Sequence, residues 1–357
     1  MENPRCFLLW NESFSSVRTK KDYNFKLDGF LKWAHKDYES ILLLTKSELT
    51  EILEDYALYK KRRVSINALS SYFYAIFSYL DFHDREFNKR RIKRLLKGEK
   101  ENKGGKRAIT DQELINMDRC AHSKKARALL HLFAFTGARP EAISELKLKD
   151  TEQMPDGFLC LTIYAGSDKE KPAFIPPTAV KILKEYHSER QDNGEKLGLD
   201  SYVIGASKLY ATLRPTPIRP TTFAQMMNLM MKNAGVKKIK TTKTRYDLAS
   251  CNGIRKRFNT KLKRNPDISF AMAEKLMDHK TSALEEAYTV PTKEELFQEY
   301  KKAVHDLMFD EAEKLRVEND NKQKKIDELQ SSKVRIAELE SRMDTINQQL
   351  QKIKEED

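Results

Sequence analysis

Nothing in the nine residues from Gly98 to Lys106 can be buried: three are glycine, five are charged and none is apolar. Such a stretch cannot offset its ordering entropy with apolar contacts, so it reads as a linker. The chain is therefore expected to fold as a domain over 1–97, a linker over 98–106, and a separate body beyond it. Its 357 residues leave room for two cores and an appendage.

Before the linker the apolar residues recur at helical spacing. Ser16-Val-Arg-Thr19 can open a helix whose apolar side is Tyr23, Leu27, Phe30, Leu31 and Trp33. Lys46–Tyr59 and Ser65–Phe82 read as two more, the second turning Leu69, Tyr72, Ile76, Phe77 and Leu80 inward. An aromatic stripe at this spacing is a core rather than a cofactor box. A basic run, Asn88-Lys-Arg-Arg-Ile-Lys-Arg94, leads into the linker.

Beyond the linker the pattern is mixed. Thr110 and Glu113 form a capping box at a helix start, and a helix from Ser123 to about Phe135 runs up to Gly137. Phe158–Ala165 alternates and is rich in β-formers, and Ala173–Ile175 is a second short strand. The connector Gly166-Ser-Asp-Lys-Glu-Lys171 makes the two a hairpin. Helices are expected at Thr178–Glu189, Thr222–Asn233, Ala249–Leu262, Ile268–Met277 and Leu284–Tyr288. The fold class is thus mainly α with a small antiparallel β-sheet, the sheet belonging to a domain over 107–305.

At the C-terminal end Leu329, Ile336, Met343 and Leu350 repeat every seven residues, with Leu339, Ile346 and Ile353 three places after the last three. That a/d seam predicts a coiled coil within 306–357 and self-association through it. Lys322, Lys325 and Ser332 interrupt the seam upstream.

Lys and Arg total 66 against 53 Asp and Glu, a net charge of +13. From Glu311 to Asp357 there are 10 basic and 12 acidic residues, so the excess lies in the body. A basic body suits a polyanionic partner, because each cation that neutralises a phosphate releases counterions. Cys6, Cys120, Cys160 and Cys251 are scattered, which argues against a zinc site or a disulfide framework and fits a reducing cytoplasm. The start, Met-Glu-Asn-Pro-Arg, has neither the basic end nor the apolar run of a signal peptide, and no apolar run is long enough to span a membrane.

Three segments carry the chemistry. In Phe135-Thr-Gly-Ala-Arg-Pro-Glu-Ala-Ile-Ser-Glu-Leu-Lys-Leu-Lys-Asp150, a Thr-Gly-x-Arg turn is followed by an acidic, Leu-rich helix, with Asp150 eleven residues after Arg139. Asn252-Gly-Ile-Arg-Lys-Arg-Phe-Asn-Thr260 sets Arg255 before a Phe. Leu276-Met-Asp-His-Lys-Thr-Ser-Ala-Leu-Glu-Glu-Ala-Tyr288 puts Tyr288 nine residues after His279. In order and spacing these boxes resemble those of the tyrosine recombinase (phage integrase) family, of archaeal or bacterial type, over roughly residues 12–300. The resemblance implies a helical, SAM-like core-binding domain over 1–97, a tyrosine-recombinase catalytic domain over 107–305, and a C-terminal coiled coil outside the family pattern.

The chemistry needs these residue types. Attack on a phosphodiester builds negative charge on the non-bridging oxygens, and two guanidiniums, always charged and fork-shaped, suit it. Arg139 and Arg255 take that place. The resemblance makes Tyr288 the nucleophile, forming a 3′-phosphotyrosine, and His279 a donor to the phosphate. A phenol is largely neutral at pH 7 and must lose its proton during attack. The leaving 5′-hydroxyl needs a general acid. By resemblance it is a lysine of the hairpin: Lys169 by its place before Phe174, with Lys171 kept open. Asn252 stands where the family usually has His; it can hydrogen-bond a phosphate but cannot carry charge. Asp278 stands where Gly is common, and an acid there is tolerable only if it points away.

No metal or other cofactor is expected, since the phosphotyrosine keeps the energy of the broken bond. The implied partner is double-stranded DNA, held by a homo-tetramer that exchanges strands through a Holliday junction, with no membrane involved. Lys89, Arg90, Arg91, Lys93, Arg94, Lys256 and Arg257 are candidate DNA contacts. Integration or excision of a mobile element and resolution of chromosome dimers stay open as roles. So do a non-catalytic DNA- or junction-binding relative and a type IB topoisomerase-like activity.

Overall fold

The computed structural model describes residues 3–97, 107–206, 217–241, 246–279 and 290–356. The predicted linker and the predicted Leu284–Tyr288 helix lie outside the described residues. The chain parts into two units, Met1–Lys103 and Gly104–Asp357.

The first unit is helical. It opens with α1, Arg5–Glu12, a helix the sequence pattern does not announce because only two of its residues, Phe7 and Trp10, are buried. Ser16 caps α2, Val17–Ala34, by accepting from the Thr19 amide, as expected. Thr45 and Glu48 form a capping box on α3, Lys46–Lys61, and Ser65 caps α4, Ile66–Phe82. Trp10 meets Phe14 and Tyr79 edge-on, and Tyr56 meets Phe30, Trp33 and Phe73, so the aromatic stripes are the core. The basic run becomes α5, Lys89–Leu95, capped by Asn88 and anchored by buried Ile92.

The second unit is built around one buried helix. The capping box of Thr110 and Glu113 opens α6, Asp111–Arg119. Ser123 caps α7, Lys124–Thr136, of which every residue from Ala128 to Thr136 is buried; a helix apolar all round belongs in the centre. After it come α8, Pro140–Ser144, and a three-stranded antiparallel meander: β1, Thr151–Gln153; β2, Leu159–Ile163; β3, Lys171–Ile175. Leu159 faces Ile175, and Ile163 faces Lys171. Strand β1 escaped the sequence reading because it is three residues long and mostly exposed.

Helix α9, Pro177–Asp192, packs on α7. Then follow α10, Pro220–Asn233; α11, Ser250–Arg264; and α12, Phe270–Met277. Helix α13, Lys293–Leu307, was not expected, yet it closes the core: Phe297 meets Phe158 and Phe174, and the buried Tyr300 hydroxyl donates to the Phe135 carbonyl at 2.9 Å. Met308 and Phe309 are buried in the same core, and Val317 in the first turns of α14, a 46-residue helix over Glu311–Glu356, still packs against it. That helix is about 70 Å long at 1.5 Å per residue. No helix among the described residues is long and apolar enough to cross a membrane.

Candidate active site

The first box is a tight turn off the central helix. The Thr136 hydroxyl donates to the Leu132 carbonyl at 2.6 Å and accepts from the Ala138 amide at 3.1 Å, which bends the chain at the end of α7. Gly137 takes the left-handed conformation, φ 57°, and a Cβ there would lie 2.4 Å from Cδ1 of Phe258. Thr and Gly are thus needed for geometry, and they deliver Arg139 to the start of α8, with Pro140 in the first helical position. Arg139 is 46% exposed and pairs with Asp278.

The second box sits on α11. Arg255 donates through one terminal nitrogen to the Gly137 carbonyl at 2.6 Å and through the other to the Met277 carbonyl. Its planar fork ties the first box to the third. Burial, aided by the charge of Arg139, lowers its pKa to about 10, which leaves it cationic at neutral pH.

The third box is the end of α12. Asp278 caps the helix in a left-handed conformation, φ 56°. Next to it, His279 places Nδ1 2.9 Å from Oε2 of Glu274, and Glu274 also pairs with Lys263. Burial raises the Glu274 carboxyl, but Lys263 and His279 outweigh it and hold it below the usual range. An ionised carboxylate only accepts, so Nδ1 carries the proton toward Glu274 and Nε2 is the ring nitrogen left for another partner.

The hairpin supplies the lysine. Lys169 is exposed at the tip, where its amide is held by the Ser167 hydroxyl at 3.1 Å. Lys171, the first residue of β3, donates through Nζ to the Leu276 carbonyl at 3.2 Å. Burial drives its pKa down to about 7; Arg255 and Arg139 push the same way and Asp278 opposes them. The structure therefore brings Lys171 to the arginines, and it leaves Lys169 in solvent.

Asn252 is exposed on α11, one turn before Arg255. Cys251 beside it is buried, and burial pushes its thiol up to about 11. Asp150 accepts from the Lys147 amide at 2.9 Å and so braces the end of the first box. Tyr288 falls in 280–289, outside the described residues. Asp278, an acid tolerable at the phosphate seat only if it points away, holds Arg139 in the structure.

Tyr164 was missed by the sequence reading. It follows β2 with φ 58°, rare for a bulky side chain. Burial raises its phenol pKa, against the charge of nearby Arg139. No signal in the sequence marks it, because a Tyr after a strand is ordinary.

Of the candidate DNA contacts, Arg257 must be withdrawn. It is 2% exposed, pairs with Asp111, and donates to the Leu307 carbonyl at 3.0 Å, so it braces α11 against α6 and α13 inside the core. Lys256 is half-buried. On α5, Lys89 pairs with Asp81 at 2.5 Å and Arg91 pairs with Glu54, whereas Arg90, Lys93 and Arg94 are exposed.

Arg139, Arg255 and Lys171 thus form one cationic cluster beside His279, an arrangement able to hold the oxygens of a phosphate and to give up a proton. No family model matches the chain, and no curated protein matches it. Solved structures do. One is the XerH site-specific recombinase bound to its difH substrate before cleavage, with a TM-score of 0.55 and 16% identity, covering 78% of this chain and 79% of that one. Another is a lambda integrase dimer bound to a COC' core site, with a TM-score of 0.51 and 14% identity over 79% of this chain and 75% of that one. A third is a lambda integrase tetramer bound to a Holliday junction, with a TM-score of 0.50 and 15% identity over 80% and 75%. The chain has the fold of the tyrosine recombinases.

Proposed function

We propose that this chain is a tyrosine recombinase: a site-specific DNA strand-transferase that cuts and rejoins duplex DNA through a covalent 3′-phosphotyrosine. The observation that carries the reading is the convergence of Arg139, Arg255 and Lys171 from three separate segments onto one place, beside His279. In the proposed step the Tyr288 oxygen attacks phosphorus and the bond to O5′ breaks. The phenol proton is lost to solvent, Lys171 gives its proton to the departing O5′ to make the 5′-hydroxyl, and Arg139, Arg255 and Nε2 of His279 hold the non-bridging oxygens. A 5′-hydroxyl from the partner strand reverses the step. With a pKa near 7, Lys171 can both give and retake a proton near neutral pH, which favours it over Lys169 as the general acid.

The proposed division of labour assigns 1–97 to core binding and 107–305 to catalysis. Arg90, Lys93 and Arg94 would contact DNA phosphates, with Lys89, Arg91 and Lys256 in supporting places. A lambda integrase forms a tetramer on a Holliday junction, and we propose the same assembly for this chain, working wherever its DNA is exposed in the cytoplasm. Helix α14 would add contacts between copies: Leu329, Ile336, Leu339 and Met343 are all more than half exposed at heptad spacing, an apolar seam without cover in a single chain.

A nicked suicide duplex tests the reading. Wild type should become covalently linked to DNA and Tyr288→Phe should not; binding without any adduct would instead support a non-catalytic junction binder, the reading that Asn252 favours.

A further inference from the structure

We infer that Asp278 is an internal stand-in for the scissile phosphate: its carboxylate occupies Arg139 in the free protein, and DNA must displace it before the site is complete. The inference rests on the anion seat of the proposed function and adds a regulator to it. A carboxylate and a phosphate offer a guanidinium fork the same pair of acceptor oxygens, so the two compete for Arg139.

The backbone places this carboxylate deliberately. Asp278 caps α12 in a left-handed conformation that glycine would adopt without cost, and its amide donates to the carbonyls of Glu274 and Lys275. The same turn carries the carbonyls of Leu276 and Met277, which receive Lys171 and Arg255. Asp278 thus sits where all three cations converge. Its charge opposes the lowering of both the Lys171 and the Arg255 pKa, and Glu141, Tyr164 and the neighbouring His279 are further titratable groups at this corner among the described residues.

The pair is loose enough to open. Arg139 is 46% and Asp278 28% exposed, so water screens their attraction and a multivalent phosphate backbone can replace it. Once phosphate is seated, a carboxylate left in place would repel both it and the charge growing in the transition state. Asp278 must therefore swing out, and until it does the charge of Arg139 is offset against stray anions.

Inorganic phosphate is the probe, titrated by thermal shift into wild type, Asp278→Asn and Asp278→Gly, each with and without Arg139→Gln. Both Asn and Gly accept the left-handed backbone, so folding is preserved; Asn removes the charge alone and Gly the whole side chain. Apparent phosphate affinity should rise about three- to fivefold on removing the charge, and the gain should vanish in the Arg139→Gln background. Equal affinity in wild type and both single variants overturns the inference, and so does a gain that survives loss of Arg139. The suicide-duplex assay on the same proteins separates the two readings. Adduct in wild type with no phosphate gain removes the stand-in alone; a phosphate gain without any adduct keeps the stand-in and removes the strand-transferase.

Discussion

Lys171 Nζ lies 3.2 Å from the carbonyl oxygen of Leu276, so the first residue of β3 is held by the last turn of α12. The bond aims a partly buried amine at the two arginines and fixes where its proton can go. Burial and the two guanidiniums bring its pKa to about 7. A general acid works in its protonated form, so single-turnover cleavage should be highest below pH 7 and fall as pH rises through about 7. Lys171→Ala should lose about 10²- to 10⁴-fold in cleavage rate, and Lys169→Ala less than threefold. A sulfur in place of the bridging O5′, which leaves without protonation, should restore Lys171→Ala. Rates measured across pH on both variants check the assignment, and a large loss in Lys169→Ala would reverse it.

Arg255→Lys should cost about 10²- to 10³-fold in cleavage. A single ammonium cannot span the Gly137 and Met277 carbonyls that the fork reaches together. DNA affinity, set by many surface phosphates, should change far less. Filter binding beside adduct formation separates the two.

Gly137→Ala should destabilise the second unit by about 3 kcal/mol, from the left-handed backbone and overpacking together. The added methyl would sit 2.4 Å from Cδ1 of Phe258. Thermal unfolding should shift down by about 10 °C; a shift below 2 °C would show that Phe258 yields freely.

Asn252 sits exposed one turn before Arg255 and carries no charge. Asn252→His should speed cleavage several-fold below pH 6, where the imidazole is cationic. An unchanged rate would mean the site does not use this position.

Ile336→Lys or Leu339→Lys should abolish association of DNA-free protein, because either puts a charge into the exposed apolar seam of α14. Sedimentation across concentration reads the outcome. Association that survives both changes would put the contact elsewhere.

Much of this was legible in the chain because it is local. Ser16, Ser65, Thr110 and Ser123 mark helix starts in the sequence alone, and the structure uses each as a cap. The turn of the first box was visible because its geometry dictates Thr136 and Gly137. Part of what escaped depends on long-range packing: helix α1 shows only two buried residues. Helix α13 was missed although Thr292 and Glu295 form a capping box before its apolar positions Leu296, Phe297 and Tyr300. Lys169 and Lys171 stand two residues apart in one hairpin connector, so spacing in the sequence cannot choose between them; in the structure Lys169 lies in the turn and Lys171 opens β3. The contact that distinguishes them is made by α12, over a hundred residues away, where the Leu276 carbonyl receives Lys171. Arg257 misled for the same reason: a basic helix looks like a DNA contact until Asp111 and the Leu307 carbonyl are seen to hold that side chain inside.

The two carbonyl bonds of Arg255 complicate any knock-out of that side chain. They fasten the turn after α7 to the turn after α12, so deleting the guanidinium removes a rivet together with an electrode. Dissolved guanidinium ion supplied to Arg255→Ala can return the lost charge without re-fastening the turns, and whatever activity it fails to rescue measures the mechanical share of this residue.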